Sequence, residues 1–215
     1  SGKLTGRLSA SHSVILTVVG DPATDKGAIN DPIGPASTYL GESEQGGADY
    51  SLRYEGIYGT GFLVVAQGAR HREKTTIVPD GSGNGIRYED NRGDTVVASG
   101  GFGRIDNKEF TRQDYQVAGS FFVGQHSIKA GFEYEKMDAD VSRFFTGGQS
   151  VSILSPNEGD TRPVYQHYYW TKETASLPND AQSVVFTADP NHKQYSLFLQ
   201  DRWTVRPNLT INAGL

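Results

Sequence analysis

The chain has 215 residues, a formal net charge of -5, no cysteine and a mean hydropathy of -0.50. Without cysteine there is neither a disulfide framework nor a thiolate metal site, and an acidic chain lacking a basic stripe does not neutralise phosphates as a nucleic-acid binder must. No run approaches the roughly 18 consecutive apolar residues of a transmembrane helix.

Eight segments read as strands, in chain order 3 to 9, 13 to 20, 49 to 58, 62 to 71, 110 to 123, 127 to 138, 193 to 204 and 209 to 215. They pair as hairpins through very short turns at Ser9 to His12, Gly59 to Gly61, Gly124 to His126 and Val205 to Asn208. The connections between hairpins are long, covering 21 to 48, 72 to 109 and 139 to 192. Strict short-long alternation places all tight turns at one end of a sheet and all elaboration at the other. Outer-membrane barrels are built this way, whereas structureless connections above about 15 residues are uncommon in compact soluble domains.

Side-chain parity separates two faces. Tyr50, Leu52, Tyr54 and Tyr58 oppose Ser51, Arg53 and Glu55; Ile128, Ala130, Phe132 and Tyr134 oppose Lys129, Gly131, Glu133 and Glu135. In 62 to 71 the alternation is weak, because Leu63, Val64, Val65 and Ala66 run together. The inward set Arg53, Glu55, Lys129, Glu133, Glu135 and Arg202 is too charged for the dry interior of a closed eight-stranded barrel, so these strands read as part of a wider, hydrated one. Composition by itself favours a soluble all-β sandwich. Yet a membrane barrel hides its apolar surface in alternating strands of about 10 residues and reaches a similar average hydropathy.

The last hairpin carries a family resemblance. Tyr195-Ser196-Leu197-Phe198-Leu199-Gln200-Asp201-Arg202-Trp203, the turn Arg206-Pro207-Asn208-Leu209-Thr210 and Asn212-Ala213-Gly214-Leu215 resemble the barrel strands of TonB-dependent outer-membrane receptors. The likeness is to the Oar-like type, whose full chains carry a carboxypeptidase-regulatory-like domain. His126 to Glu135, Gly2-Lys3-Leu4-Thr5 and Val18 to Pro22 look like further strands of the same kind. The resemblance implies a parent barrel of about 22 or more strands around an N-terminal plug, energised uptake of a bulky ligand, and inner-membrane TonB as partner through regions outside this segment. No plug, signal peptide or TonB box is recognisable within 1 to 215, and any export signal is expected outside it.

Candidate chemistry is sparse. Tyr165, His167, Tyr168, Tyr169 and Trp170 form an aromatic cluster in the third long connection, read either as a ligand-binding platform or as part of an upper aromatic girdle. Asp21, Asp25 and Asp31, with Asn157, Glu158 and Asp160, supply hard oxygen ligands of the kind calcium takes, but without EF-hand spacing they read as solvated turns. Gly81 to Gly85 lacks the Lys-Ser/Thr of a phosphate loop and reads as a flexible loop tip. The five histidines are scattered, His12 and His126 falling in tight turns, and no G-x-S-x-G elbow or triad is present.

The expectation is therefore an all-β chain: an antiparallel transmembrane β-barrel segment of about eight strands from a larger barrel, with long extracellular loops and residues 1 to 215 forming part of one domain. It has no enzymatic activity and no cofactor; its partners are outer-membrane lipid, TonB and a bulky ligand, not nucleic acid. A soluble or surface-attached β-sandwich binding glycan or protein is the competing reading, and a non-transporting structural or adhesive barrel is a third.

Overall fold

The structure, a computed structural model, describes residues 1–170 and 185–215. Fourteen strands follow in chain order: β1 Gly2–Ser9, β2 His12–Gly20, β3 Ala23–Ala28, β4 Leu40–Tyr58, β5 Phe62–Pro79, β6 Arg87–Asp90, β7 Val97–Gly100, β8 Arg104–Val123, β9 His126–Phe145, β10 Ser150–Leu154, β11 Val164–Tyr168, β12 Phe186–Ala188, β13 Asn191–Arg206 and β14 Leu209–Gly214. Eight form an antiparallel meander, β1-β2-β4-β5-β8-β9-β13-β14, with β3 added to β4 and β12 to β9. A separate four-stranded sheet, β11-β10-β6-β7, is built from the long connections. These eight meander strands are the eight expected from alternation.

All four tight turns share one end of the meander. His12 pairs with Gly56, Phe62 with Phe121, and His126 with both Val123 and Trp203, so each turn lies beside its neighbours.

The register carries one parity across every strand. Leu4 pairs with Leu16, Leu16 with Leu52, Tyr54 with Ala66, Ala66 with Val117, Val117 with Phe132 and Phe132 with Leu197. The opposite face runs Thr5, Ile15, Arg53, Gln67, Gln116, Glu133 and Ser196 in the same way. Since paired residues in an antiparallel sheet share a face, the sheet is apolar on one side and polar on the other along its whole width. The run Leu63 to Ala66 fits this frame: Val64 and Ala66 lie on the apolar face, while Leu63 and Val65 pair with Ser120 and Ala118 on the polar one.

Among the described residues no second layer covers the apolar face. Leu52, Val117 and Leu197 are 53%, 52% and 77% exposed. A sandwich core would bury these residues between two sheets, so the soluble β-sandwich is excluded. Of the buried apolar residues among those described, only Ala118 belongs to the two-faced part of the wall; Ala98, Phe102, Ile105 and Val151 gather at the end opposite the tight turns.

The long strands correct the expected boundaries. β4, β5, β8 and β9 have 19, 18, 20 and 20 residues and continue far beyond the alternating stretches into what reads in sequence as loop. There polar residues occupy both faces and apolar ones such as Ile77, Val78, Ile105 and Phe144 fall on either side, so the period-two signal vanishes while the backbone ladder continues. Cross-strand ion pairs line these extensions: Lys26–Glu42 and Lys74–Glu44 at 2.9 Å, Arg72–Glu109 at 2.8 Å, and Arg143–Asp106 at 3.1 Å. The connections that remain are 80 to 103 in the second case and 146 to 190 in the third, of which 171 to 184 lie outside the described residues.

The meander ends in two open edges, β1 and β14. Each unpaired backbone group in an apolar medium costs several kcal/mol. Residues 1–215 folded alone in detergent are expected to give no compact monomer with heat-modifiable electrophoretic mobility; a monodisperse heat-modifiable monomer would contradict the open-edged architecture.

Candidate functional site

Aromatic rings mark two levels of the apolar face. Tyr115, Tyr134 and Tyr195 lie directly opposite one another across three strands, with ring centroids 6.2 Å and 5.0 Å apart. Nearer the tight turns come His12, Tyr58, Phe62, Phe121, His126 and Trp203, with Phe62 stacked on Phe121 at 4.3 Å and His126 on Trp203 at 5.3 Å. On β4 the interval is Tyr50 to Tyr58, on β9 Tyr134 to His126 and on β13 Tyr195 to Trp203, eight residues each time. Eight residues span about 27 Å along a strand and about 21 Å along the normal at a tilt of about 40°. That matches the height of a lipid-facing band bounded by aromatic girdles.

Two histidines that read in sequence as plain turn residues belong to the lower girdle. His12 Nδ1 lies 2.6 Å from the Tyr54 hydroxyl, and His126 Nδ1 lies 2.7 Å from Asp201 Oδ2. Asp201 shares parity with Leu197 and Leu199; its place beside Trp203, bonded to His126, puts this carboxylate at the rim instead of in the apolar band.

The polar face is a charged wall. Arg53 donates to Glu55 at 2.7 Å, and Arg112 bridges Asp114 at 3.1 Å and Glu135 at 2.5 Å. Phe198 interrupts this polarity by lying across Gly131, where a Cβ would fall 2.5 Å from the Phe ring. The glycine leaves the ring a flat seat, and Lys129 Nζ stands 5.4 Å from its centroid.

Above the wall the connections are welded into a cap. Phe102, Ile105, Ala98 and Val151 are buried to within 2% of complete, with Thr38 and Thr146 beside them. Arg87, only 9% exposed, organises this core: its Nη1 donates to the carbonyls of Thr38 at 2.8 Å and Phe102 at 3.2 Å, and its Nε to Glu89 at 2.7 Å. Asn30 Nδ2 donates to the same two carbonyls, at 3.4 Å and 3.1 Å. One segment of each of the first two connections is thereby tied to the third, where Gly103 N donates to Thr146 Oγ1 and Thr146 N returns a bond to Gly103 O, both at 2.8 Å. Gly103 has φ +97°, and a Cβ there would meet the Arg87 side chain. Nothing periodic in the sequence distinguishes Asn30, Thr38, Arg87 or Phe102, which is why pattern reading misses them.

Residues 81 to 85 are part of this cap, a correction to their reading as a flexible tip. Gly81–Asn84 forms a 3-10 turn in which Gly83 N donates to Asp80 O at 2.6 Å and Gly83 O accepts from Phe102 N at 2.8 Å. Gly83 is buried against Pro79 and Phe102, so this small residue serves packing.

The aromatic cluster sits on the edge of the small sheet, not in the girdle. β11 pairs with β10, placing Tyr165 opposite Ile153, His167 opposite Val151 and Tyr168 opposite Ser150. Strand alternation then splits the cluster: Tyr165 and His167 face one way, Tyr168 the other. Tyr168 lines a cleft of about 570 Å³ with Asn30, Asp31, Ile33, Phe102 and Arg104. His167 Nδ1 lies 2.9 Å from Gln149 Oε1, Tyr169 is exposed, and Trp170 packs on Phe186 at 5.4 Å. The cluster is thus a ridge of exposed Tyr165, His167, Tyr168 and Tyr169 pinned at its end by Trp170.

The acidic residues serve local structure, Asp21 and Asp160 at turns and Asp25 within β3. Asp21 Oδ1 accepts from Gly47 N at 3.1 Å, Asp25 from Gln45 at 2.9 Å, and Asp160 from Thr161 N, Arg162 N and the Arg162 side chain. Arg162 holds the Asp160 carboxyl below the usual range, and Arg92, bonded to Asp90 through side chain and backbone, draws the Asp90 carboxyl down to about 2. Among the described residues no three His, Asp or Glu side chains gather as a metal ion requires.

An amphipathic open meander with paired aromatic girdles, tight turns at one end and a braced cap at the other defines the wall of a membrane barrel. The chain belongs to the outer membrane beta barrel domain family, whose model matches residues 53–215. It is therefore an outer-membrane protein, and barrels of this kind turn their apolar face to lipid, their polar face to the lumen and their long connections to the extracellular side. Its fold is similar to that of the outer membrane transporter YddB from Escherichia coli, with a TM-score of 0.50 and 16% identity over 99% of this chain and 26% of that one. The chain thus spans about a quarter of that transporter's length. No curated protein matches the sequence.

Arg87 provides a direct test of the cap. Arg87→Met in the intact outer-membrane protein leaves two buried carbonyls and Glu89 without their charged partner, a loss of about 3 kcal/mol. Limited proteolysis from the extracellular side is expected to cut within 80 to 103 much faster than in the parent protein while the barrel keeps its heat-modifiable mobility. Equal cleavage rates would show that Arg87 does not brace the cap.

Proposed function

We propose that this chain forms the wall and extracellular cap of a TonB-dependent transporter of the Oar-like type, carrying a bulky ligand across the outer membrane. The observation that supports this most is the pairing of a charged lumenal face with an extracellular cap that is ordered by Arg87 and Asn30. A lumen lined by Arg53, Glu133, Glu135 and Lys129 needs water or a plug, and a wide barrel supplies both. The likeness of fold to an outer membrane transporter agrees with this reading.

In this reading the cap receives the ligand. Tyr165, His167, Tyr168 and Tyr169 present amphipathic rings and one imidazole on an exposed ridge, chemistry suited to a large polar-apolar ligand. Trp170 fixes the end of that ridge through Phe186. In this reading the chain's part is to form wall and ligand platform, and the energising contact with TonB is made by regions outside it.

The test uses the intact protein in detergent with the purified C-terminal domain of the host's TonB. Direct binding is expected, together with loss of periplasmic accumulation of the transported compound in cells lacking TonB. If the intact protein binds no TonB, with or without extracts that supply ligand, the transport reading fails and a structural or adhesive barrel replaces it.

A further inference from the structure

Of the three aspartates at 21, 25 and 31, the first two each accept a hydrogen bond. The exposed Asp31 carboxylate takes neither a hydrogen bond nor an ion pair among the described residues. Its backbone is nevertheless fixed on both sides: Asn30 N donates to Tyr39 O at 3.3 Å, Ile33 N to the Asp31 carbonyl at 2.7 Å, and Thr38 Oγ1 to the Ile33 carbonyl at 2.7 Å. Asp31 lines the cleft of about 570 Å³ that Tyr168 borders, so the cap holds a bare carboxylate in a set position at a pocket.

The same cleft has positive charge to spare. Arg104 lines it, and its Nη2 pairs with Asp106 Oδ2 at 2.6 Å, but Asp106 is shared with Arg143, whose Nε lies 3.1 Å from its Oδ1. Two guanidinium groups thus divide one carboxylate. Arg87 and Glu89, the other charged residues of the lining, neutralise each other at 2.7 Å, and Arg87 is further occupied by two carbonyls. What remains is one unmatched carboxylate from the first connection and one under-matched guanidinium at the start of β8. Apolar surface completes the lining, from Ile33, Tyr168 and Phe145, the last of these directly opposite Arg104 in the β8–β9 ladder.

A purely anionic ligand would be repelled by Asp31, and a purely cationic one by Arg104 and Arg143; a compound carrying both charges satisfies both. We propose that this cleft binds a short zwitterionic peptide, with Asp31 taking its ammonium group, Arg104 its carboxylate, and Ile33, Phe145 and Tyr168 an apolar side chain. Both polar contacts are charge-assisted hydrogen bonds, and the anchored backbone around Asp31 reduces the ordering that binding requires. The inference rests on the reading of the cap as the ligand-receiving surface but not on TonB coupling.

Isothermal titration calorimetry of the intact protein in detergent, with alanylphenylalanine as the probe, provides the test. The parent protein is expected to bind the free peptide, and N-acetylation or C-terminal amidation of the peptide is expected to weaken binding about tenfold each, the loss of one charge-assisted hydrogen bond. Asp31→Asn is expected to bind the free and acetylated peptides equally while still discriminating against the amide, and Arg104→Gln to show the converse. Glu158→Gln, on an exposed turn of the third connection, leaves every affinity unchanged. Should Arg104→Gln weaken all three peptides alike, Asp31→Asn decides, since it removes no contact within the cap. Absence of binding by the parent protein, equal binding of the free and acetylated peptides by the parent protein, or discrimination against the acetylated peptide retained in Asp31→Asn would overturn the proposal. TonB binding without peptide binding would overturn it and leave the transport reading standing; peptide binding with this crossed pattern but without TonB binding would do the opposite.

Discussion

Hydrocarbon tolerates neither an unpaired backbone amide nor an unpaired charge, and that intolerance organises this chain. Each strand between the girdles must be bonded on both sides and must turn its odd or even residues consistently one way. The register keeps the facing from Leu4 to Leu197 without a parity error, through six successive strand pairs, and every strand from β2 to β13 on that path is bonded on both sides. A slip of one residue at any pair would move Arg53 or Lys129 into the lipid band, at about 2 to 4 kcal/mol per cation near the midplane. The interaction is therefore local in origin and global in effect, because every strand's face is set by its neighbour's.

Outside the band the constraint lifts, and the chain uses other means of holding shape. The strand extensions rely on ladder hydrogen bonds and cross-strand ion pairs such as Lys74–Glu44 and Arg72–Glu109, which tolerate polar residues on both faces. At the far end burial returns on a small scale, around Phe102 and Ile105, with Arg87 and Asn30 satisfying two buried carbonyls. An exposed ridge on the edge of that cap is held by a compact core instead of by loop entropy alone. Such a platform loses little freedom when a ligand docks on it.

This division explains what the sequence made legible. Alternation in 49 to 58 or 127 to 138 reports lipid on one side and water on the other, so the eight wall strands, their turns and the facing of Leu52, Ile128 and Glu133 are readable. Residues 40 to 48 and 139 to 145 belong to the same strands but lie beyond the two-faced band, partly buried against the cap, and no period-two alternation marks them. The small sheet is harder still: β6 and β10 are parallel and far apart in sequence, and Arg87 becomes the centre of the cap only through contacts with residues 38 and 102. For the aromatic cluster the composition was legible and the geometry was not, since Tyr165 and Tyr168 fall on opposite faces of one edge strand.

The central claim is that parity in the wall is parity between lipid and lumen. Single spin labels at residues 128, 132, 133 and 135 of the intact protein, reconstituted in bilayers containing a lipid-soluble relaxation agent, measure this directly. Labels at 128 and 132 should relax strongly and those at 133 and 135 weakly, with the order reversed for a water-soluble agent. Equal exposure of all four positions to the lipid-soluble agent would contradict the account.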